Sequence, residues 1–259
     1  MLNSFVLNEN QVLFLALILL RIIAFIFSSA IFSSANISIP LKILLSFVLS
    51  FLLFSIHRVE INAQFNYSNE IISLAAKEIM VGLIIGLITR FFFFAISMSG
   101  DLISTSLGLN SAQVFNPIMG SNSNTMEQFQ VLLGTLVFFA LQGHHLLIKA
   151  LYESFTILPV AQGSLSFKSF PEVAHLGGQL MEVGFKMAAP VVVSVFIVNI
   201  TIGILGRTVP QLNVLMTSLS VTFSVGILVL IATLPLMIYE MNTVINLTGK
   251  YVFQIMRNL

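Results

Sequence analysis

Apolar positions along the chain fall into long continuous runs rather than into alternation. The first extends from about Val12 to Phe32 and the second from Leu41 to Ile56. They are separated by Ser33-Ser34-Ala35-Asn36 and Pro40. A third covers Ile71 to Met98 and a fourth about Phe129 to Leu158. Two more, Leu180 to Leu205 and Leu212 to Tyr239, are joined by the short basic turn Gly206-Arg207-Thr208-Val209-Pro210-Gln211. An apolar run of roughly 20 residues crosses a bilayer as a helix. The pattern therefore predicts an all-α, multi-pass membrane protein of about six long, kinked hydrophobic helices. Short connections make the first two runs a helical hairpin and the last two an antiparallel pair. Beyond Glu240, Val244, Leu247, Tyr251 and Ile255 recur every three or four residues, with Lys250 and Arg257 outside that stripe, which predicts an amphipathic tail.

The polar intervals divide the chain. His57 to Glu70 separates the first hairpin from the third run, and Gly100 to Gln128, rich in Ser, Asn and Gly around Pro117, is too long for an ordinary turn. Pro159 to Gly178 concentrates Gly, Pro and charged residues. The predicted organisation is a four-helix portion over 1–160, a linker over 161–178 and a closing hairpin with its tail over 179–259.

Composition sharpens this picture. Hydrophobic residues make up 57% and charged ones 8%, against the roughly 25% charged residues of soluble domains, and 24 of the 259 residues are Phe. Mean hydropathy is +1.02. A net charge of +1 offers no basis for binding nucleic acid, and the absence of Cys removes disulfides and thiolate chemistry. No basic residue precedes Arg21, so the first run lacks a signal-peptide n-region and is expected to stay in the mature protein. Lys42, Arg90 and Arg207 fall on one side and Lys250 and Arg257 on the other, which leans towards an outside N-terminus.

Charges inside apolar runs are functional candidates because inserting each costs about 2.5 to 3.5 kcal/mol. Glu182 with Lys186, and Lys149 with Glu153, have the four-residue spacing of intrahelical pairs, so a structural role is favoured over a proton or ion relay. Lys77 and Glu78 are adjacent and point about 100° apart, so they do not share a face. Glu78 is thus expected to be buried against another helix or subunit. Gly82 and Gly86 form a GxxxG that permits close helix approach, and Pro190 and Pro235 should kink their helices. His144-His145 lacks the companions of a metal site, and Asp101 lacks a nucleophile elbow beside it. Neither a metal, a cofactor nor an enzymatic activity is predicted.

Taken in order, the punctuation of the chain resembles that of the FliR/SctT family of type III secretion export-gate proteins. The likeness rests on Arg21; Pro40 with Lys42; Glu78, Gly82 and Gly86; and Gly100 and Gly108 leading to Asn116-Pro117. It continues through Gly143-His144, Ser154-Phe155 and Leu158-Pro159 to Pro190, Asn199, Gly203 and the turn Arg207-x-x-Pro210-Gln211-x-Asn213-Val214. Asn116 departs from the acidic residue expected before the proline. The resemblance implies a subunit of an inner-membrane export gate at the flagellar basal body, assembled with FliP-like and FliQ-like subunits. A FlhB-like switch protein, a FlhA-like export protein and the unfolded export substrates would be its other partners. It implies that the first portion is FliP-like and the closing hairpin FliQ-like. It also implies that Leu107, Leu109, Val114, Phe115, Asn116, Pro117, Ile118 and Met119 belong to a loop that plugs the closed pore, with Gly108 and Gly120 allowing movement. Arg207, Pro210, Gln211 and Asn213 would contact a partner. An injectisome subunit and a small secondary transporter or channel are the alternatives; the unequal halves, four runs against two, disfavour a transporter built of inverted repeats.

Overall fold

In a computed structural model, residues 9–33, 37–57, 71–109, 124–160, 170–208 and 214–258 are described, and their regular structure is entirely helical. Among the described residues seven helices follow one another: α1 (Glu9–Ser28), α2 (Ile39–His57), α3 (Ile71–Ser106), α4 (Thr125–Ala140), α5 (Gly143–Ile157), α6 (Phe170–Thr208) and α7 (Val214–Arg257). Five of them, α1, α2, α3, α6 and α7, are long and apolar enough to cross a membrane, and a sixth candidate arises if α4 and α5 count as one broken span. The protein is a multi-pass helical membrane protein, as the apolar runs predict.

The helix boundaries depart from the runs for local reasons. α3 continues past Met98 to Ser106, because Ile103 and Leu107 still face inward and are buried. It stops at Gly108, whose φ of +74° is the left-handed C-cap conformation. There the Leu109 N–H reaches the Ser104 carbonyl at 3.1 Å and the Gly108 N–H the Thr105 carbonyl at 3.2 Å, satisfying two of the helix's last acceptors. The fourth run is two helices, not one. It breaks at Leu141-Gln142, where Gln142 takes φ 57° although it is not glycine. Part of the predicted linker, from residue 170 onwards, is helical. Pro171 suits the first turn of α6, where its missing N–H costs nothing, and Glu172 complements the positive end of the helix. The tail is not a separate element but the end of α7, which runs unbroken through Pro235 to Arg257.

These helices form two compact units. One comprises residues 1–91, 144–175 and 248–259, the other 92–143 and 176–247. Both draw on residues before and after 161–178, whereas the sequence reading divides the chain at that stretch.

In the first unit α1 buries Phe14, Leu17, Ile18, Arg21, Ile22 and Phe25, an inward stripe at helical spacing. α2 packs on α1 through a mixed polar and apolar face. Its buried positions include Lys42, Ser46 and Ser50, while Leu44, Phe47, Phe51 and Leu52 point outward. The inward hydroxyls return to the helix's own carbonyls, Ser46 to Lys42 at 2.8 Å and Ser50 to Ser46 at 2.6 Å. Further along, α2 buries Leu53 and Phe54, the latter with its ring centroid 6.3 Å from that of Phe14 on α1. The second unit sets α3 from Phe92 onward antiparallel to α4: Phe92 meets Phe138 with ring centroids 5.3 Å apart, Ile96 meets Gly134, and Gly100 meets Glu127. α6 and α7 also run antiparallel, since Asn199 accepts from Thr222 at 3.0 Å while Val195 lies near Gly226.

Candidate functional site

The most concentrated polar chemistry lies in the interior of the first unit. Arg21 occupies a core position of the α1 stripe and is 1% exposed; Glu78 does the same on α3 at 3%. The Arg21 Nε donates to Glu78 Oε2 at 2.6 Å. Its Nη1 donates to the Ser154 carbonyl at 2.9 Å and the Ser154 hydroxyl at 3.3 Å, and Nη2 to the Leu158 carbonyl at 3.0 Å. The guanidinium also lies 4.4 Å from the centre of the Phe155 ring. Those carbonyls lie at the end of α5, where the dipole is negative; the Ser154 carbonyl also accepts the Leu158 N–H at 3.0 Å, and Leu158 stands just past the last helical residue. One planar cation thus neutralises a carboxylate and caps a helix, which the forked geometry of arginine permits and a lysine ammonium does not. Sequence spacing assigns Glu78 no partner, whereas the structure gives it Arg21 from a different helix. Every residue of this hub carries the family resemblance, yet only the fold brings them together.

The same α1–α3 seam is held close by glycine. A Cβ at Gly82 would collide with the Arg21 carbonyl oxygen, and one at Gly86 with the Ser28 hydroxyl. The two helices run parallel, since Arg21 faces Glu78 and Ser28 faces Gly86. At the far end of the seam, Ser33 receives Lys42 Nζ on its carbonyl at 3.1 Å and Arg90 Nη2 on its hydroxyl at 3.1 Å. Lys42 and Arg90, assigned to one side by charge, do meet at one end of the hairpin.

A second polar cluster lies in the other unit, where α3 and α4 flank residues 110–123. Asn124 N-caps α4, its side-chain oxygen 3.4 Å from the Glu127 N–H, and its amide nitrogen donates to Asp101 at 2.7 Å. Ser97 donates to Glu127, and Gly100 lies so close to the Glu127 backbone that a Cβ would clash. The two helices are therefore clamped side by side at this end.

The expected plug residues divide. Val114, Phe115, Asn116, Pro117, Ile118 and Met119 lie outside the described residues, as do Gly120, Pro210, Gln211 and Asn213. Leu107 is 1% exposed and packs on Gly226, so it belongs to the helical core and not to a projecting loop, because α3 reaches further than its apolar run. Gly108 ends a helix, a fixed task that replaces the freedom expected of it. Leu109 is half-buried, Arg207 is exposed in the last turn of α6, and Pro190 lies half-buried within that helix. The spaced pairs do form, Glu182–Lys186 at 2.8 Å on an exposed face and Lys149–Glu153 at 3.7 Å with the lysine exposed and the glutamate half-buried. The His144 and His145 ring centroids lie 4.2 Å apart with the rings tilted by 52°, and among the described residues no group of three metal-ligating side chains is assembled.

The profile of a family described as Bacterial export proteins, family 1, matches residues 12–248. The flagellar biosynthetic protein FliR of Bacillus subtilis is 31% identical over 248 residues, 94% of this chain and 93% of its own. That of Aquifex aeolicus is 32% identical over 236 residues, 91% and 90% of the two chains. The chain belongs to this family. The FliR protein of Escherichia coli, at 27% identity over 218 residues, covers 84% of this chain and 83% of its own. The family match spans Arg21, Glu78, Ser154, Leu158 and both clamp helices.

Proposed function

We propose that this protein is a component of the flagellar type III export gate of the bacterial inner membrane, lining part of the pore through which unfolded substrates pass. The observation that carries this reading is the clamp between α3 and the start of α4, within the family match over residues 12–248. Asp101–Asn124 and Ser97–Glu127 hold the start of α4 against α3, so the chain between Leu109 and Asn124 joins two helices that are tied side by side. That stretch with Leu109 supplies Val114, Phe115, Ile118 and Met119, apolar side chains able to close a lumen by excluding water. The Arg21 hub supplies the complementary requirement, a seam that does not yield when the loop is displaced.

In this reading FliP-like and FliQ-like subunits pack on the exposed apolar helix faces, and Arg207 with Pro210, Gln211 and Asn213 contacts a partner at the cytoplasmic end. A FlhB-like switch protein and a FlhA-like export protein lie beyond. Residues 1–160 correspond to a FliP-like portion and 179–259 to a FliQ-like hairpin. The protein's role is that of a conduit rather than of an enzyme.

Conductance tests the plug directly. Changing Phe115 to Gly, or shortening residues 110–119, should make the assembled complex leak ions without substrate while its partners still co-purify. A correctly assembled, ion-tight mutant would overturn it. Arg207→Glu should abolish secretion and motility while leaving membrane insertion intact.

A further inference from the structure

In the second unit the inward stripe of α4 is Gln130, Gly134 and Phe138, and α7 buries Leu230, Met237, Met241 and Val244. Gln130 is fully buried, and its Nε2 donates to Met237 Sδ at 3.3 Å, a weak acceptor. Its Oε1 has no hydrogen-bond partner among the described residues. The same holds for the Oγ of Ser99, fully buried on α3. Ile96 meets Gly134 and Gly100 meets Glu127, so the register of α3 against α4 puts Ser99 level with Gln130. A hydroxyl donor and an amide acceptor, both unsatisfied, thus stand at one height of the same seam. We propose that Gln130 is a two-position latch: held by Met237 it ties α4 to α7, and turned to the Ser99 hydroxyl it ties α4 to α3 and releases α7 to bend at Pro235.

Opposing terms keep the two positions close in energy. The latched one leaves two buried polar atoms unsatisfied, each at the cost of its lost hydration, and its one hydrogen bond ends on a thioether. What it gains is packing, since Met237, Met241 and Val244 are all fully buried. The released position pairs the Gln130 carbonyl with the Ser99 hydroxyl and gives up the sulfur contact. α7 is weakened where it would have to yield. Pro235 contributes no N–H to the Ile231 carbonyl, and the Thr233 hydroxyl donates back to the Val229 carbonyl at 2.8 Å and the Leu230 carbonyl at 3.2 Å, a pattern that bends helices. Both features lie within about a turn of Met237. Elements with two discrete arrangements of this kind are what convert a small local shift into a larger movement.

Hydrogen exchange tests the latch, on the full-length protein in nanodiscs cut from its native membrane and read on peptides covering residues 231–241 of α7. Gln130→Leu removes the unsatisfied carbonyl from the latched position and the Ser99 bond from the released one, so exchange there should slow roughly tenfold. Ser99→Ala should slow it too, by less. Met237→Leu keeps the volume and takes away the acceptor, so exchange should quicken, and in a chain that also carries Gln130→Leu the quickening should vanish. Peptides of α1, in the other unit, should exchange alike in every variant, which reports that each has folded. A residue that serves packing alone gives the opposite pattern, with faster exchange in Gln130→Leu and Met237→Leu indistinguishable from the unaltered protein. Either result overturns the latch, and so does an unchanged rate in Ser99→Ala.

Discussion

The Arg21 hub and the Asp101–Asn124 clamp are both small polar clusters joining helices, but burial separates them. In the hub, both charges lie in the core, and one arginine serves Glu78 Oε2, the Ser154 carbonyl and the Leu158 carbonyl. In the clamp, Asp101 is exposed and Glu127 half-buried, so water competes for the same hydrogen bonds. A buried pair stakes several kcal/mol on completeness, whereas a wet one stakes about one. The two clusters therefore suit different tasks: a permanent joint in one unit and a releasable one beside the loop in the other.

The largest effect is expected from leaving half of the hub behind. Arg21→Ala or Glu78→Ala strands an uncompensated charge or a bare helix end, at a cost of about 3–5 kcal/mol. Cellular protein level and denaturant midpoint in micelles should both fall sharply. Arg21→Lys should recover little, because one ammonium cannot span Glu78, Ser154 and Leu158. If Arg21→Lys matches wild type, the hub is merely a point charge and the contrast fails. Next, Gly82→Leu should separate α1 from α3 at about 1–3 kcal/mol, as overpacking does, measurable by the same midpoint and by loss of a disulfide trap across the seam.

The clamp should respond more mildly. Asn124→Ala removes the cap and the Asp101 contact for about 1 kcal/mol. Local hydrogen exchange at the start of α4 should rise while the global midpoint scarcely moves. A global loss equal to that of Glu78→Ala would erase the distinction between joint and clamp. Smallest of all, Glu182→Gln with Lys186→Gln should leave helicity and assembly unchanged, since this pair sits on an exposed face.

Much of the architecture was legible because apolar runs in this composition admit one secondary structure, and the closing hairpin followed from the short turn after Arg207. Boundaries were legible only where chemistry announced them. In the run Phe129 to Leu158 the residue that turns left-handed is Gln142 and not its neighbour Gly143, so the glycine does not announce which position breaks the helix. The end of α3 was hidden because Ser and Gly around Asp101 look like loop while Ile103 and Leu107 carry the helix onward. Within the hub, Glu78 and Ser154 stand far from Arg21 in sequence, and no periodicity couples residues on three separate helices. Intrahelical pairs such as Glu182–Lys186 are visible at spacing four; interhelical ones are visible only in space.

The parallel course of α1 and α3 also sets a timetable for synthesis. Glu78 follows Arg21 by 57 residues and Leu158 by 137, so at roughly 5–20 residues per second the cation emerges about 3–11 s before its carboxylate and about 7–27 s before its last carbonyl. During that interval α1 carries an insertion penalty of about 2.5–3.5 kcal/mol against its apolar neighbours. The nascent first helix thus holds an incompletely paired cation through more than half of the chain's synthesis, and the set of partners that Arg21 meets is complete only when α5 has been made.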